Sequence, residues 1–310
     1  MRENKATYFD QRDGCPVCDN KLGKQRYSIE YNGDDVVTYL EDFYSKQGCV
    51  EHDYLKEALY SLIECTNCGL VYQEFIPNDD LMYRLYEKWI DPDKVKEEHE
   101  RFPLWYYENY SKQLINLLSY FNKTPNEIEC LDFGMGWGNW CLMAKAFGCK
   151  AYGMELSEAR IKYAEKNGIT VLNSKNLSNY RFDYINTDQV FEHLPNPNQT
   201  LEFLLKHLKE DGLIRISVPN GNQVDGVLEK MDWTLPKQHP NSVNVVAPLE
   251  HINCFKTRTL NQMAASFDLE VVDIPEVRNY YRSKKDMIKK LIKSDSKKNL
   301  ESTNLYFKRK

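Results

Sequence analysis

Three glycines at alternate positions, in Leu131-Asp132-Phe133-Gly134-Met135-Gly136-Trp137-Gly138-Asn139-Trp140, form the stretch best suited to chemistry with the backbone itself. Glycine takes positive φ without a Cβ clash, so such a loop lets main-chain N–H groups approach a ligand closely. One acid, Asp132, opens the loop, and a second, Glu155, ends the next predicted strand 23 positions later. Two carboxylate oxygens placed there can accept hydrogen bonds from both hydroxyls of a ribose. The G-x-G-x-G spacing departs from the G-x-G-x-x-G of dinucleotide folds. The ordered set points to a ligand carrying a nucleoside. The alternatives are a tight turn in another α/β protein and an NAD-binding domain.

Cysteine supplies the second chemistry. Cys15-Pro16-Val17-Cys18 and Cys65-Thr66-Asn67-Cys68-Gly69 are two Cys-x-x-Cys knuckles, and two such pairs provide the four thiolates of a tetrahedral ion site. The 46 residues between them require an inserted element. Zinc is the expected ion, with iron in a rubredoxin-like site as the alternative. Four thiolates leave no open coordination position, so the site is expected to be structural. Cys49 and His52 form a further Cys-x-x-His pair, read as packing residues rather than ligands. Cys130, Cys141, Cys149 and Cys254 read as small buried residues.

These groups need a frame to hold them. Residues 79–122 follow a mostly helical pattern, with Leu114, Leu117, Leu118 and Phe121 on one face, until Pro125 breaks the chain. Strand and helix then alternate. Strands are expected at 128–133, 150–155, 169–172, 184–187 and 213–218; the helix after the glycine loop carries the stripe Trp140, Met143, Ala144, Phe147. A helix begins at Ser157 as N-cap and stops at Gly168, and another carries Leu201, Leu204, Leu205 and Leu208. An irregular insertion covers 220–249; a helix at 257–267 and strands at 269–274 and 304–308 follow. Such alternation implies an α/β fold with a doubly wound parallel sheet covered on both faces. The expected units are a zinc-ribbon-like module with an insertion at 1–78, a helical lid or linker at 79–126, and a catalytic domain at 127–310.

With these residues in view, 128–276 resembles a class I S-adenosylmethionine (SAM)-dependent methyltransferase with a Rossmann-like seven-stranded sheet. Asp132, Gly134, Gly136 and Gly138 match that family's first motif and Glu155 its ribose-binding acid. The run Tyr184-Ile185-Asn186-Thr187-Asp188-Gln189-Val190-Phe191-Glu192-His193-Leu194-Pro195 resembles its fourth strand and "EHLP" tail. Leu213 to Asn220 resembles the fifth strand. Glu250-His251-Ile252-Asn253-Cys254-Phe255 resembles a segment of bacterial members that methylate sugars and other small metabolites. The resemblance implies SAM bound by Asp132, Phe133, Gly134, Gly136, Gly138, Glu155 and Gln189, with Zn2+ on Cys15, Cys18, Cys65 and Cys68. Asn173-Ser174-Lys175-Asn176 stands where the family carries its adenine-binding acid, so the adenine contact stays open.

In-line methyl transfer depends on positioning, and a hydroxyl acceptor benefits from a base near neutrality. His251 and His193 are the expected candidates, with Glu192 or Glu250 orienting or sharing the proton. Asp232, Trp233 and His239 could touch the acceptor from the insertion, and Trp105, Tyr106, Tyr107 and Tyr110 could cover the cofactor. His207 reads as a solvated neighbour on its helix, and His99 lies in a charged helix without a role.

Bulk properties limit the partners. Of 310 residues 42% are hydrophobic, which supports a real core, and the net charge of −5 speaks against nucleic acid. No apolar run suits a signal peptide or a membrane span, so the cytoplasm is the expected compartment. Residues 278–298 carry nine Lys/Arg against two Asp along a Met287, Ile288, Leu291, Ile292 stripe. That pattern fits contact with an anionic membrane or substrate, or a plain exposed helix. The expected acceptor is a small molecule or carbohydrate: a sugar, nucleotide-sugar or surface-polysaccharide precursor. An extra carboxy-terminal domain, typical of deoxysugar C-methyltransferases, is absent from this sequence, which favours oxygen as the methylated atom. An RNA methyltransferase with an amino-terminal zinc module and a non-catalytic SAM-fold scaffold are the competing readings.

Overall fold

The computed structural model describes residues 7–45, 48–91, 94, 97, 101–274 and 302–310. In chain order the elements are β1 (Phe9–Gln11), β2 (Gly23–Glu30), α1 (Asp34–Ser45), β3 (Leu59–Cys65), β4 (Val71–Gln73), β5 (Phe75–Pro77), α2 (Asp79–Arg84) and α3 (Leu104–Phe121). The second half adds β6 (Glu129–Phe133), α4 (Asn139–Ala146), β7 (Lys150–Met154), α5 (Glu158–Lys166), β8 (Thr170–Val171), β9 (Phe182–Asp188), α6 (Pro197–Leu205) and β10 (Leu208–Pro219). It closes with α7 (Val224–Lys230), β11 (Asn253–Cys254), α8 (Thr257–Ala265), β12 (Leu269–Val272) and β13 (Ser302–Arg309).

Seven strands form the main sheet in the order β12-β13-β10-β9-β6-β7-β8. Strands β8, β7, β6, β9 and β10 are mutually parallel, while β13 runs antiparallel to both β10 and β12. The chain starts in the middle at β6, winds outward through β7 to β8, then crosses to β9 on the other side. That reversal opens a crevice beyond the carboxyl ends of β6 and β9, the place where open α/β sheets bind ligands. In β9, six consecutive residues from Phe182 to Thr187 are buried, as a strand covered on both faces requires.

The amino-terminal strands make a second sheet, β11-β4-β3-β2. Its β11 comes from the second half of the chain and pairs with β4 through Asn253↔Tyr72 and Cys254↔Val71. One apolar cluster joins Val36, Leu40, Tyr60 and Trp89 to Val224, Val227, Val243, Val246 and Leu249. The amino-terminal sheet is therefore the support on which the 220–250 insertion rests.

Several expected elements differ in detail. The helical reading of 79–122 is interrupted: α2 runs into a π-helical turn at Leu85–Trp89, and Ile90 is extended and bridges to Gly48. Burial of Trp89, whose indole N–H donates to Glu51 at 2.8 Å, holds the chain there. Helix α3 ends on left-handed Asn122, before Pro125. Leu208 opens β10 instead of closing the preceding helix, its apolar side chain still serving the same core. The insertion is not wholly irregular, since it contains α7 and a 3-10 turn at Val243–Val246. His207 is 8% exposed and packs on Phe203 with its ring near the Tyr180 carbonyl, so it is a buried residue and not a solvated one. Residues 278–298 and His99 lie outside the described residues.

Candidate active site

The glycine loop turns from β6 into α4 with Gly134, Gly136 and Gly138 all at positive φ (73°, 55° and 81°). A Cβ at Gly138 would stand 2.3 Å from Ile169, whereas one at Gly136 would point into open space. Gly138 is a packing glycine. Gly136 is a cavity-lining one.

A cavity of about 370 Å³ opens over this loop. Asp132, Gly134, Met135, Gly136, Asn186, Asp188 and Gln189 line it from the sheet edge, Arg160 from α5, and Phe102, Tyr106 and Tyr110 from the aromatic segment before β6. Its floor is a buried polar chain. Asn186 donates to Asp132 at 2.8 Å and accepts from Arg215 at 2.8 Å, and Arg215 also reaches Asp188 at 3.3 Å. Burial lifts the Asp132 carboxyl to about pKa 7, against the opposing hydrogen bond from Asn186. A buried carboxyl under an open cavity favours a cationic ligand group. An adenosyl sulfonium with its amino-acid tail fits that demand.

Glu155 sits at the end of β7, as the sequence implies, but does not line the cavity. Its carboxylate accepts from the backbone N–H of Gly136 at 2.9 Å, Leu156 at 2.8 Å and Ser157 at 3.1 Å. Each carboxylate oxygen offers two lone pairs. Two N–H groups use those of Oε1, and Oε2, which accepts from Gly136 and faces the Arg160 guanidinium at 3.8 Å, keeps one. Phe133 and Gly138 also lie outside the lining, whereas Gln189, itself at φ 55°, borders this cavity and a second one. Arg160, Asn186 and Asp188 carried no signal strong enough to be picked from the sequence. For Asp188 the one available signal was its place as a charged residue ending a buried strand.

The second cavity, about 230 Å³, is lined by Gln189, Pro219, Asn220, Lys237, Gln238, His239, Pro240, Ser242, Asn244 and Val245. Sequence reasoning placed the insertion here, and of these side chains it named Gln189 for the cofactor and His239 for the acceptor. Trp233 packs instead among Tyr27, Tyr39 and Tyr60, with ring centroids 5.4–6.2 Å away. Asp232 caps the Thr234 N–H at 3.0 Å.

His193 and His251 come together, ring centroids 5.0 Å apart, with Glu192 beside them. Neither histidine lines either cavity; the cluster stands next to the second, because His251 Nδ1 bonds the carbonyl of Asn244 in its wall. Burial lowers the pKa of both imidazoles and raises that of Glu192 far above the carboxylate range. Glu250 accepts from Tyr44 of α1 at 2.5 Å, and Gln73 of β4 donates to the carbonyls of Ala247 at 3.0 Å and His251 at 3.2 Å. The amino-terminal module thus fixes the wall that carries His251.

Four sulfurs meet at the knuckles. Cys15 and Cys68 lie 3.4 Å apart, Cys18 and Cys65 3.5 Å, and all four within 4.8 Å of one another. Sulfurs bound tetrahedrally at about 2.3 Å stand about 3.8 Å apart, so the set fits one ion. The Cys15 thiol is drawn down to about pKa 6 by its hydrogen bond with Cys68 and by the N–H groups of Val17 and Cys18, while Cys68 is pushed up. Asn198 of α6 donates to the Val17 carbonyl and Thr259 of α8 to that of Cys68, at 2.8 and 2.9 Å. These bonds tie both knuckles to the main sheet's helices. Cys49 is exposed, not packed, and His52 pairs with Glu41 at 3.2 Å.

Comparison with known proteins adds the family. No curated protein matches the chain in sequence. Among solved structures it is similar to the plantazolicin methyltransferase BpumL in complex with a triazolic desmethylPZN analog and SAH (18% identity, 74% of this chain, 95% of that chain, TM-score 0.49). It is also similar to magnesium protoporphyrin IX methyltransferase (ChlM) from Synechocystis PCC 6803 with bound SAH (13%, 66% and 84%, TM-score 0.45). A third is an S-adenosylmethionine dependent methyltransferase from Mesorhizobium loti (13%, 59% and 91%, TM-score 0.40). At such scores these likenesses carry no reading of the acceptor. The model of a family described as "Methyltransferase domain" matches residues 98–274, more than half of the chain. That stretch holds the glycine loop, the buried Asp132 and the cavity above them, and the chain belongs to this methyltransferase family, as a SAM-dependent enzyme.

Proposed function

We propose that the enzyme moves the methyl group of SAM onto a hydroxyl of a sugar, nucleotide-sugar or surface-polysaccharide precursor. The observation that carries this reading is the polar second cavity, which shares Gln189 with the lining of the first. Its side chains Asn220, Gln238, His239, Ser242 and Asn244 are hydrogen-bonding groups suited to a polyhydroxyl ring, and Lys237 suits a phosphate or carboxylate on it. A flat aromatic acceptor would ask for stacking surfaces that these residues do not offer.

On this reading SAM lies over Gly134–Gly136 with its cationic part toward Asp132, and Glu155 takes one ribose hydroxyl through Oε2. The Glu192–His193–His251 cluster is the acceptor-activating centre; with no cation present, its neutral imidazoles receive the hydroxyl proton. The methyl carbon of SAM then bonds to that oxygen as its bond to sulfur breaks, and the thioether S-adenosylhomocysteine leaves. Zn2+ on Cys15, Cys18, Cys65 and Cys68 supplies no chemistry; it braces the module behind the acceptor wall. Placement in the cytoplasm follows the expected SAM supply, and among the described residues no helix is long and apolar enough to cross a membrane.

The test is transfer of a labelled methyl group from SAM into a panel of sugars, nucleotide-sugars and polysaccharide intermediates. Label in a base-stable methyl ether of a carbohydrate supports the reading. Label only in RNA or peptide, by protein that binds SAM, overturns it.

A further inference from the structure

Glu192 has 0% exposure, and neither of its carboxylate oxygens has a hydrogen-bond partner. A buried carboxylate without partners is costly, and protonation does not remove the need, since the acid O–H then lacks an acceptor. The surroundings supply two further donor atoms. His193 Nε2 lies 3.9 Å from Glu192 Oε1, and one ligand atom each from Glu192, His193 and His251 fall within 4.8 Å of one another. The histidines are already oriented as ligands usually are. His251 Nδ1 is committed to the Asn244 carbonyl and His193 Nδ1 faces the Tyr86 hydroxyl at 3.5 Å, so the Nε2 atoms are the ones an ion would take, in competition at His193 with the Glu250 backbone.

We propose that Glu192, His193 and His251 bind a divalent first-row transition-metal ion, as a site separate from the four cysteines. Two imidazoles and one carboxylate match the donor preferences of such ions and leave coordination positions open. Ligands about 2.1 Å from one tetrahedrally held ion stand about 3.4 Å apart, so His193 Nε2 and Glu192 Oε1, now 3.9 Å apart, must close by about half an ångström, and the other pairs, within 4.8 Å, by more. Side-chain rotation covers that distance. The ion would give both the ionised Glu192 carboxylate and its unpartnered oxygens a partner. The partly exposed His193, 22% by side chain, gives it a way in.

The role of the ion rests on the reading of this cluster as the acceptor-activating centre; the binding does not. With the ion bound, the imidazole nitrogens are ligands, and a hydroxyl coordinated at an open position loses its proton to water because the ion lowers its pKa. The resulting alkoxide attacks the methyl carbon as the carbon–sulfur bond breaks.

The full chain is stripped of metal, reloaded with excess Co2+, dialysed, and its metal counted per chain alongside its absorption spectrum. Wild type is expected to hold two equivalents, one showing thiolate-to-cobalt charge transfer and one without it. Glu192→Gln, His193→Gln and His251→Gln are each expected to hold one, with the charge-transfer band unchanged. Glu192→Gln replaces a buried neutral carboxyl by an amide of the same shape, so it is the variant expected to stay folded, as SAH binding would verify. A single equivalent in wild type, or a second equivalent surviving all three substitutions, overturns the proposal. Two equivalents without methylation of any carbohydrate uphold the ion and remove the acceptor reading. One equivalent with sugar methylation intact does the opposite.

Discussion

Gly136→Ala separates a ligand cradle from a simple turn. At φ 55° an L side chain costs about 1–2 kcal/mol, which for a chain of this size lowers Tm by a few degrees. No heavy atom stands within 4 Å of the added Cβ, so the fold has no further objection. The methyl group instead enters the cavity bounded by Asp132, Gly134 and Gln189. Forcing one carbon into an otherwise fitted space costs about 1–3 kcal/mol. At about 1.4 kcal/mol per decade, SAH affinity should fall roughly 5- to 150-fold. Gly138→Ala is the control: its Cβ would meet Ile169 at 2.3 Å, so its cost should appear in Tm first. Calorimetric titration of both variants with SAH, beside their melting curves, checks the pair. Undiminished SAH affinity in a folded Gly136→Ala protein would refute the cradle.

Three further outcomes are expected. Asp132 keeps its proton in the fold up to about pH 7, while its unfolded counterpart ionises near 3.9, so this group makes the fold less stable as pH rises from about 4 to 7. Over pH 6 to 8 the carboxylate goes from about one-tenth to nine-tenths ionised, so cationic SAM should bind up to about tenfold tighter; Asp132→Asn should flatten that titration. If the four cysteines hold an ion as proposed, Cys65→Ser or chelation should lower Tm by about 10 °C or more and abolish methyl transfer, with the Cys15 and Cys18 knuckle losing its partner; melting curves with and without chelator decide it. Tyr44→Phe removes the hydroxyl that reaches Glu250 at 2.5 Å, at about 1 kcal/mol of stability, and should lower kcat while leaving SAH affinity within twofold, as steady-state kinetics beside titration will show.

What the sequence disclosed and what it withheld follow one physical rule. The glycine loop, Asp132 and the strand order around them are written in contiguous residues, because a strand, a tight turn and a helix start are local events. The four cysteines were legible for the same reason: each knuckle is a short turn, and only its partner is far away. The acceptor side is assembled from separated segments. Tyr44 meets Glu250 across 206 positions and Gln73 meets Ala247 across 174, and no local pattern encodes such contacts. Helical periodicity also misled where packing overrode it, as at Trp89, buried against Glu51, and at Leu208, whose place in the core is the same in a helix or a strand. Glu155 was found at its expected position, yet three backbone N–H groups engage it, which spacing alone does not reveal.

A crystal structure of the full chain with SAH tests the central claim most directly. The account predicts density for the adenosyl group and its amino-acid tail in the roughly 370 Å³ crevice over Gly134 and Gly136, with the tail's ammonium toward Asp132. SAH bound elsewhere, or that crevice filled by Phe102 and Tyr106 at saturating ligand, would contradict it.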